Sequence, residues 1–382
     1  MTQLNGLDQR FESAKVLFSL CNIKKEIFTI MSIKIREFPE IDFLRFVAIT
    51  SVVIFHFTAR RYELLPYGYL VKGPPWNLGW VGVNLFFIIS GYVVSHTLSK
   101  SYNAREFILK RVTRIYPALW LILPIVFLGQ YFIPHSIFKD RSSLSNLLGS
   151  MTLVPPSALN LQNIINFDWL TLVLWTLKIE MIFYILCFML FYFFSYTKII
   201  FYSVLICTLT SILLIVTLNF NLNYINPIEV VLKGLGFDYL PWFVLGMLFY
   251  EQKVLKKNRH LMIFLFSVFA LAISVSKNYF FSYQIAEFAV IALFVLVVFR
   301  KKNSKLIKLK IFQVLGFSSY EMYLIHQGLG VPILVYFIKK FELTSSESFL
   351  LMIIIILSLF FASLSISKIT LRLNIRLRKL LI

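Results

Sequence analysis

The chain has 382 residues, 59% of them hydrophobic and only 15% charged, with a formal net charge of +20 and a mean hydropathy of +0.79. A soluble globular domain carries about 25% charged residues, so this composition excludes an ordinary soluble protein and points to a polytopic membrane protein. The basic residues lie between apolar runs and form no aromatic-interleaved patch, which excludes nucleic acid as a partner and makes the lipid bilayer the reason for the charge.

Residues 1–40 read as a mixed, polar cytoplasmic segment with no signal-peptide pattern. Met31 opens "MSIKIREFPEID", itself a natural start, so residues 1–30 read as a dispensable extension or as a surface-lying helix. Residues 41–370 follow as one transmembrane domain and 371–382 as a basic cytoplasmic tail. A spanning helix needs about 20 mostly apolar residues. That criterion predicts spans near 42–59, 80–98, 115–133, 169–195, 199–218, 238–250, 261–276, 284–299, 317–338 and 347–367. The expected fold is all-α, a bundle of about ten transmembrane helices with both termini cytoplasmic. Under that orientation 27 of the 38 Lys and Arg fall on cytoplasmic segments and 9 on the opposite loops, the bias that sets topology. The sixth span is the shortest, and Glu229, Lys233, Asp238 and Pro241 crowd its approach, so it is expected to be broken or partly re-entrant. Cys21, Cys187 and Cys207 have no metal-ligand spacing and form no disulfide framework, so no metal is expected.

In chain order, polar residues interrupt the apolar spans at a few places. The first span, "DFLRFVAITSVVIFHF", holds Asp42, Arg45 and His56. Arg45 and His56 are eleven residues apart, about three turns, so they share a helix face roughly 16 Å apart. Ionisable groups inside a span are costly and face a bundle interior or a wet cavity. An ion pair for Asp42 and Arg45 and one hydrogen bond for His56 would satisfy them without chemistry. A functional histidine is the sharper reading. In "GWVGVNLFFIISGYVVS", Gly79, Gly82 and Gly91 allow close backbone approach and Asn84 adds a buried amide.

"FILKRVTRIYP" places Lys110 and Arg114 on one helix face, with Arg111 their neighbour. The planar guanidinium fork suits phosphate, although positive-inside anchoring also places arginines here. "LWTLKIEMIFYIL" buries Lys178 and Glu180 on different faces, and a glutamate across from a histidine could orient its imidazole. "GFSSYEMYLIHQG" places Glu321, Tyr323, His326 and Gln327 in the ninth span, with His326 either a second catalytic group or a hydrogen-bonding strut.

These motifs, in this order over residues 40 to about 330, resemble acyltransferase family 3, membrane proteins that O-acylate sugars and other acceptors. The resemblance implies His56 as the essential histidine with Arg45 its helix partner, and Glu180 and His326 as further catalytic positions. It also implies Arg111 and Arg114, with Lys110 beside them, as contacts for an acyl-CoA co-substrate, no tightly bound cofactor, and a glycan or lipid-linked saccharide as acceptor. A bacterial inner (plasma) membrane location goes with it. A pantetheine arm threaded between helices would bring the thioester to His56, which acts as base or itself accepts the acyl group. The chain departs from the family at Phe43 and Phe46, where Gly is common, at Asn84, where Asp is common, and at Lys178, where an acidic or small residue is common. Two other classes compete. A secondary transporter would use midplane ionisable residues but predicts internal repeats, and the two halves show none. A non-catalytic scaffold gives no reason for arginine, histidine and glutamate to be spread over three helices.

Overall fold

The computed structural model describes residues 38–156, 167–220, 226–256, 281–300, 307 and 309–381. These are helical, with no strand among the described residues. Helix α1 spans Pro39–Phe57, with proline and two acidic residues in its first turn, where the free N–H groups and helix dipole favour them. Short 3-10 turns at Ala59–Leu64 and Trp76–Val81 lead into α2, Gly82–Ser99. Helix α3, Ala104–Phe132, starts at Asn103, whose side chain accepts from the Glu106 amide, and continues through Pro117 and Pro124. A short amphipathic helix α4, Leu144–Thr152, precedes α5, Leu174–Phe193, and α6, Tyr196–Phe220.

Helices α7, Asn226–Gly234, and α8, Leu240–Val254, follow. The sixth span, expected to be broken, is continuous as α8; the interruption lies ahead of it, in the 3-10 turn Phe237–Tyr239, entered through Gly236 at φ +78°, a conformation that favours glycine. Pro241 sits in the first turn of α8, where it starts the helix and does not kink it. The remaining helices are α9, Phe281–Val298; α10, Lys310–Phe317; α11, Ser319–Ile325; α12, Val331–Phe341; and α13, Ser345–Leu381. A π-helical segment, His326–Gly330, joins α11 to α12.

Among the described residues, six stretches are long and apolar enough to cross a membrane: Pro39–Leu64, Trp76–Ser99, Ala104–Phe132, Leu174–Phe193, Ser319–Phe341 and Ser345–Leu381. They coincide with the first four and the last two predicted spans. The fifth and eighth appear as shorter apolar helices, Lys198–Leu214 and Tyr283–Val298. The seventh, 261–276, and the N-terminal segment lie outside the described residues. This is a membrane protein of helical-bundle type.

Glycine decides how tightly the inner helices pack. A Cβ at Gly91 would collide with the Phe243 carbonyl, and one at Gly246 with the Ile88 carbonyl, so α2 and α8 cross backbone to backbone. Gly316 meets the Asp42 carbonyl in the same way, seating α10 on α1. At two family departures the larger residue is absorbed by packing. Phe43 and Phe46 lie 5.5 and 5.0 Å, ring to ring, from Phe312 of α10, and Phe46 also faces Phe360 of α13. Lys178 donates to the Gly234 carbonyl at 2.6 Å.

Candidate active site

At the C-terminal end of α1, the ring of His56 faces that of His326, with centroids 4.9 Å apart. The hydrogen bonds fix which nitrogens carry protons. His326 Nδ1 lies 2.8 Å from the Tyr323 carbonyl and 3.3 Å from that of Met322, and a carbonyl can only accept. His326 Nδ1 therefore carries the proton and its Nε2 holds a lone pair. His56 Nδ1 lies 2.9 Å from the Val52 carbonyl and 3.3 Å from His326 Nε2, two acceptors, so it too is the protonated nitrogen. His56 Nε2 makes no hydrogen bond among the described residues and, in the neutral ring, holds the lone pair. His326 is fully buried, while His56 is half-buried.

The π segment positions His326. Widening the helix by one residue over His326–Gly330 displaces the carbonyl ladder, and neighbouring side chains take up the displaced groups. Gln130 of α3 donates to the carbonyls of Gly328 (3.1 Å) and Leu170 (3.2 Å). Thr171 donates to the Gln327 side-chain oxygen at 3.2 Å. Gly328 has no room for a Cβ, which would meet Val126 and approach Gln130, so the turn is held from three sides.

Two cavities lie along the path from the opposite end of α1 toward this pair. The larger, about 340 Å³, is lined by Asp42 and Arg45 of α1, Arg114 of α3, Glu321 of α11 and Arg378 of α13, among others. The smaller, about 70 Å³, is walled mostly by apolar side chains such as Phe86, Phe87 and Leu177, with Ser90, Thr176, Glu180 and Tyr323 set among them. Arg45, Arg114, Ser319 and Tyr320 line both, so they form the neck between them. The Tyr323 ring at the inner end of this path is 5.5 Å from that of His326, and its hydroxyl lies 2.8 Å from Thr176 Oγ1.

The structure thus separates the residues that the sequence grouped. Arg45 is 7% exposed, pairs with Asp42 at 2.8 Å and lines the neck, away from the histidine of its own helix. Glu180 does not meet either histidine through its hydrogen bonds. It accepts from Ser90 at 2.7 Å and from the Tyr184 hydroxyl, which sets it as a polar wall of the small cavity. The arginines of α3 also part. Arg114 lines both cavities and makes no ion pair among the described residues. Arg111, 3% exposed, donates to the Val93 carbonyl at 2.9 Å and stacks 5.5 Å over Tyr184 and 5.9 Å over Phe107. Lys110 lines neither cavity and pairs with Glu106 at 2.7 Å.

Asn84 donates to a Glu287 carboxylate oxygen at 3.3 Å, so α9 supplies a carboxylate opposite this buried amide. Sequence reasoning passed over Gln130, Ser90, Tyr320 and Arg378. Ser90 and Gln130 sit in apolar runs where a lone polar residue carries no pattern, and Tyr320 is one of two tyrosines in "GFSSYEMYLIHQG". Arg378 was one basic residue among several in the tail.

Residues 38–372 match the family described as an acyltransferase domain, the family 3 acyltransferases. The chain belongs to this family. Among curated proteins, it is 27% identical over 159 residues to the peptidoglycan O-acetyltransferase of Listeria monocytogenes, which is 39% of this chain and 23% of that protein. It is 29% identical over 100 residues to a Staphylococcus aureus (strain COL) protein provisionally assigned as an O-acetyltransferase, covering 24% and 14% of the two chains. It is 30% identical over 95 residues to a Bacillus subtilis protein provisionally assigned as a peptidoglycan O-acetyltransferase, covering 23% and 13%. The match therefore spans less than a quarter of each relative's length. No solved structure matches the chain.

Proposed function

We propose that this acyltransferase family member is an integral membrane O-acyltransferase that moves an acyl group, acetyl by default, from cytoplasmic acyl-CoA to a hydroxyl of a cell-surface glycan. Ten spans with both termini cytoplasmic, in a bacterial plasma membrane, complete the reading. The observation that carries it is the line of two cavities, with polar groups set in partly apolar walls, running from Arg114 and Arg45 to the Tyr323 ring beside His326. Guanidinium groups at one end suit the donor's phosphates, and a neutral imidazole with a free lone pair at the other end suits an acceptor hydroxyl. The relatives named for peptidoglycan O-acetylation support an envelope glycan as the acceptor class.

In this mechanism the donor enters the large cavity, its phosphates stay on the arginines, and the pantetheine arm passes the neck. Direct transfer is the simpler chemistry. His56 Nε2 takes the hydroxyl proton as the acceptor oxygen attacks the thioester carbonyl. The C–O bond forms, the C–S bond breaks, and the thiolate takes the proton from the imidazolium. While His56 is charged, its Nδ1–H bonds to the Val52 carbonyl and His326 Nε2 strengthen, so His326 steadies the cation and fixes the tautomer. If His56 accepts the acyl group first, the same lone pair is the nucleophile.

The test is incubation of inverted membrane vesicles with labelled acetyl-CoA, comparing the native protein with His56→Ala. Saturable donor binding by both proteins, with thioester loss only in the native one, is the expected result. Absence of binding, with no difference between the two, would overturn the reading and move attention to transport.

A further inference from the structure

The large cavity has a wall that the described donor contacts do not use. Helix α13 has 37 residues, about 55 Å at 1.5 Å per residue, against a hydrocarbon core of about 30 Å. Its last turns therefore stand beyond the apolar layer. There they dock on the first turns of α3: Arg378 Nε donates to Thr113 Oγ1 at 3.2 Å, and Nη2 donates to the Lys110 carbonyl at 3.1 Å. Thr113 can accept because its own hydroxyl proton goes to the Leu109 carbonyl at 2.8 Å. One edge of the guanidinium is thus anchored on α3, and Nη1 has no partner among the described residues.

Arg378 lines the same cavity as Arg114 and Arg45. The acidic groups on that wall are engaged, Asp42 with Arg45 and Glu321 with the Thr370 hydroxyl at 2.6 Å. We infer that Arg378 is a ligand for the donor's phosphates, acting with Arg114, and that the extramembrane end of α13 is therefore part of the donor site. This rests on the acyl-CoA reading above. A guanidinium held on one edge and free on the other is pre-organised, so little rotamer entropy is lost when a phosphate arrives. Residue 378 lies beyond the family match, which ends at 372.

The test measures CoA and pantetheine binding to the full-length protein in detergent or nanodiscs, over a range of salt concentrations. The native chain is compared with Arg378→Gln, Arg378→Lys and Arg114→Gln. The inference expects Arg378→Gln to weaken CoA binding about tenfold, the order of one charge-assisted hydrogen bond, and to flatten its salt dependence. Arg378→Lys should regain part of the loss, and pantetheine, which lacks the nucleotide phosphates, should bind all variants alike. Unchanged CoA affinity in Arg378→Gln, with a loss in Arg114→Gln, would overturn the inference and leave the acyl-CoA reading standing. Equal losses for CoA and pantetheine would make Arg378 a structural strut and also overturn it. No CoA binding by the native chain would overturn both.

Discussion

The two ends of α1 solve opposite problems with ionisable side chains. At one end Arg45 is charged, paired with Asp42, and shares a cavity wall with Arg114 and Arg378. At the other, His56 and His326 share a single chain of neutral hydrogen bonds with no carboxylate in it. Under the proposed mechanism, the permanent charges lie where a donor phosphate would reach them, and the group proposed to gain and lose a proton has one ring nitrogen free of hydrogen bonds among the described residues. A carboxylate beside His56 would hold it protonated and remove that lone pair. The same logic separates Arg111 from Arg114 within one helix. Three residues apart, one is spent on the Val93 carbonyl and the Tyr184 ring, while the other stays in the cavity.

The strongest way to break this contrast is His56→Ala. Acyl transfer should fall by roughly 10²–10⁴-fold, the usual contribution of a positioned base, while acetyl-CoA binding stays at the native level. Equal loss of both would show that the two ends are not functionally separate. His326→Phe removes the lone pair that receives the His56 Nδ1–H, and turnover should drop about 10–100-fold, as for other groups that orient a reacting imidazole. His326→Gln, which keeps an acceptor, should recover part of that rate. Full activity in His326→Phe would reduce His326 to packing.

The α3 arginines sharpen the inner half of the comparison. Arg114→Gln should raise the donor KM about tenfold with little change in thermal unfolding. Arg111→Gln should do the reverse, lowering the unfolding temperature of the solubilised protein through loss of a buried hydrogen bond and cation–π contacts. Equal KM effects from both would mean that Arg111 also reaches the donor. The smallest effect expected is from Gln130→Ala, which leaves the Gly328 carbonyl without its side-chain donor and costs about 1–3 kcal/mol of stability. Unchanged thermal unfolding would show that water replaces the amide.

Much of this was legible in the chain itself. A run such as residues 42–57 or 345–367 is apolar over enough residues to cross a bilayer, and an apolar helix satisfies its own backbone, so length and composition suffice to place it. The acyltransferase motifs carried the family for a similar reason: three of the five, those at Arg45–His56, Phe107–Pro117 and Leu174–Tyr184, lie within one helix at fixed spacing. Arg45 and His56 could be put on one face about 16 Å apart because helical rise is constant.

What spacing along one helix could not give is which helix stands opposite which. The partner of His56 is His326, 270 residues away, and not Glu180. Arg378 became a cavity wall only because the last turns of α13 bring that residue onto α3. The π segment at His326–Gly330 is likewise held by Gln130 and Thr171 from other helices. Sequence by itself determined the helices, their lipid-facing character and the family. Tertiary structure decided which polar groups meet, because inside a bundle a side chain's partner is set by crossing geometry and by glycine contacts such as Gly91 and Gly246, neither of which is periodic in the chain.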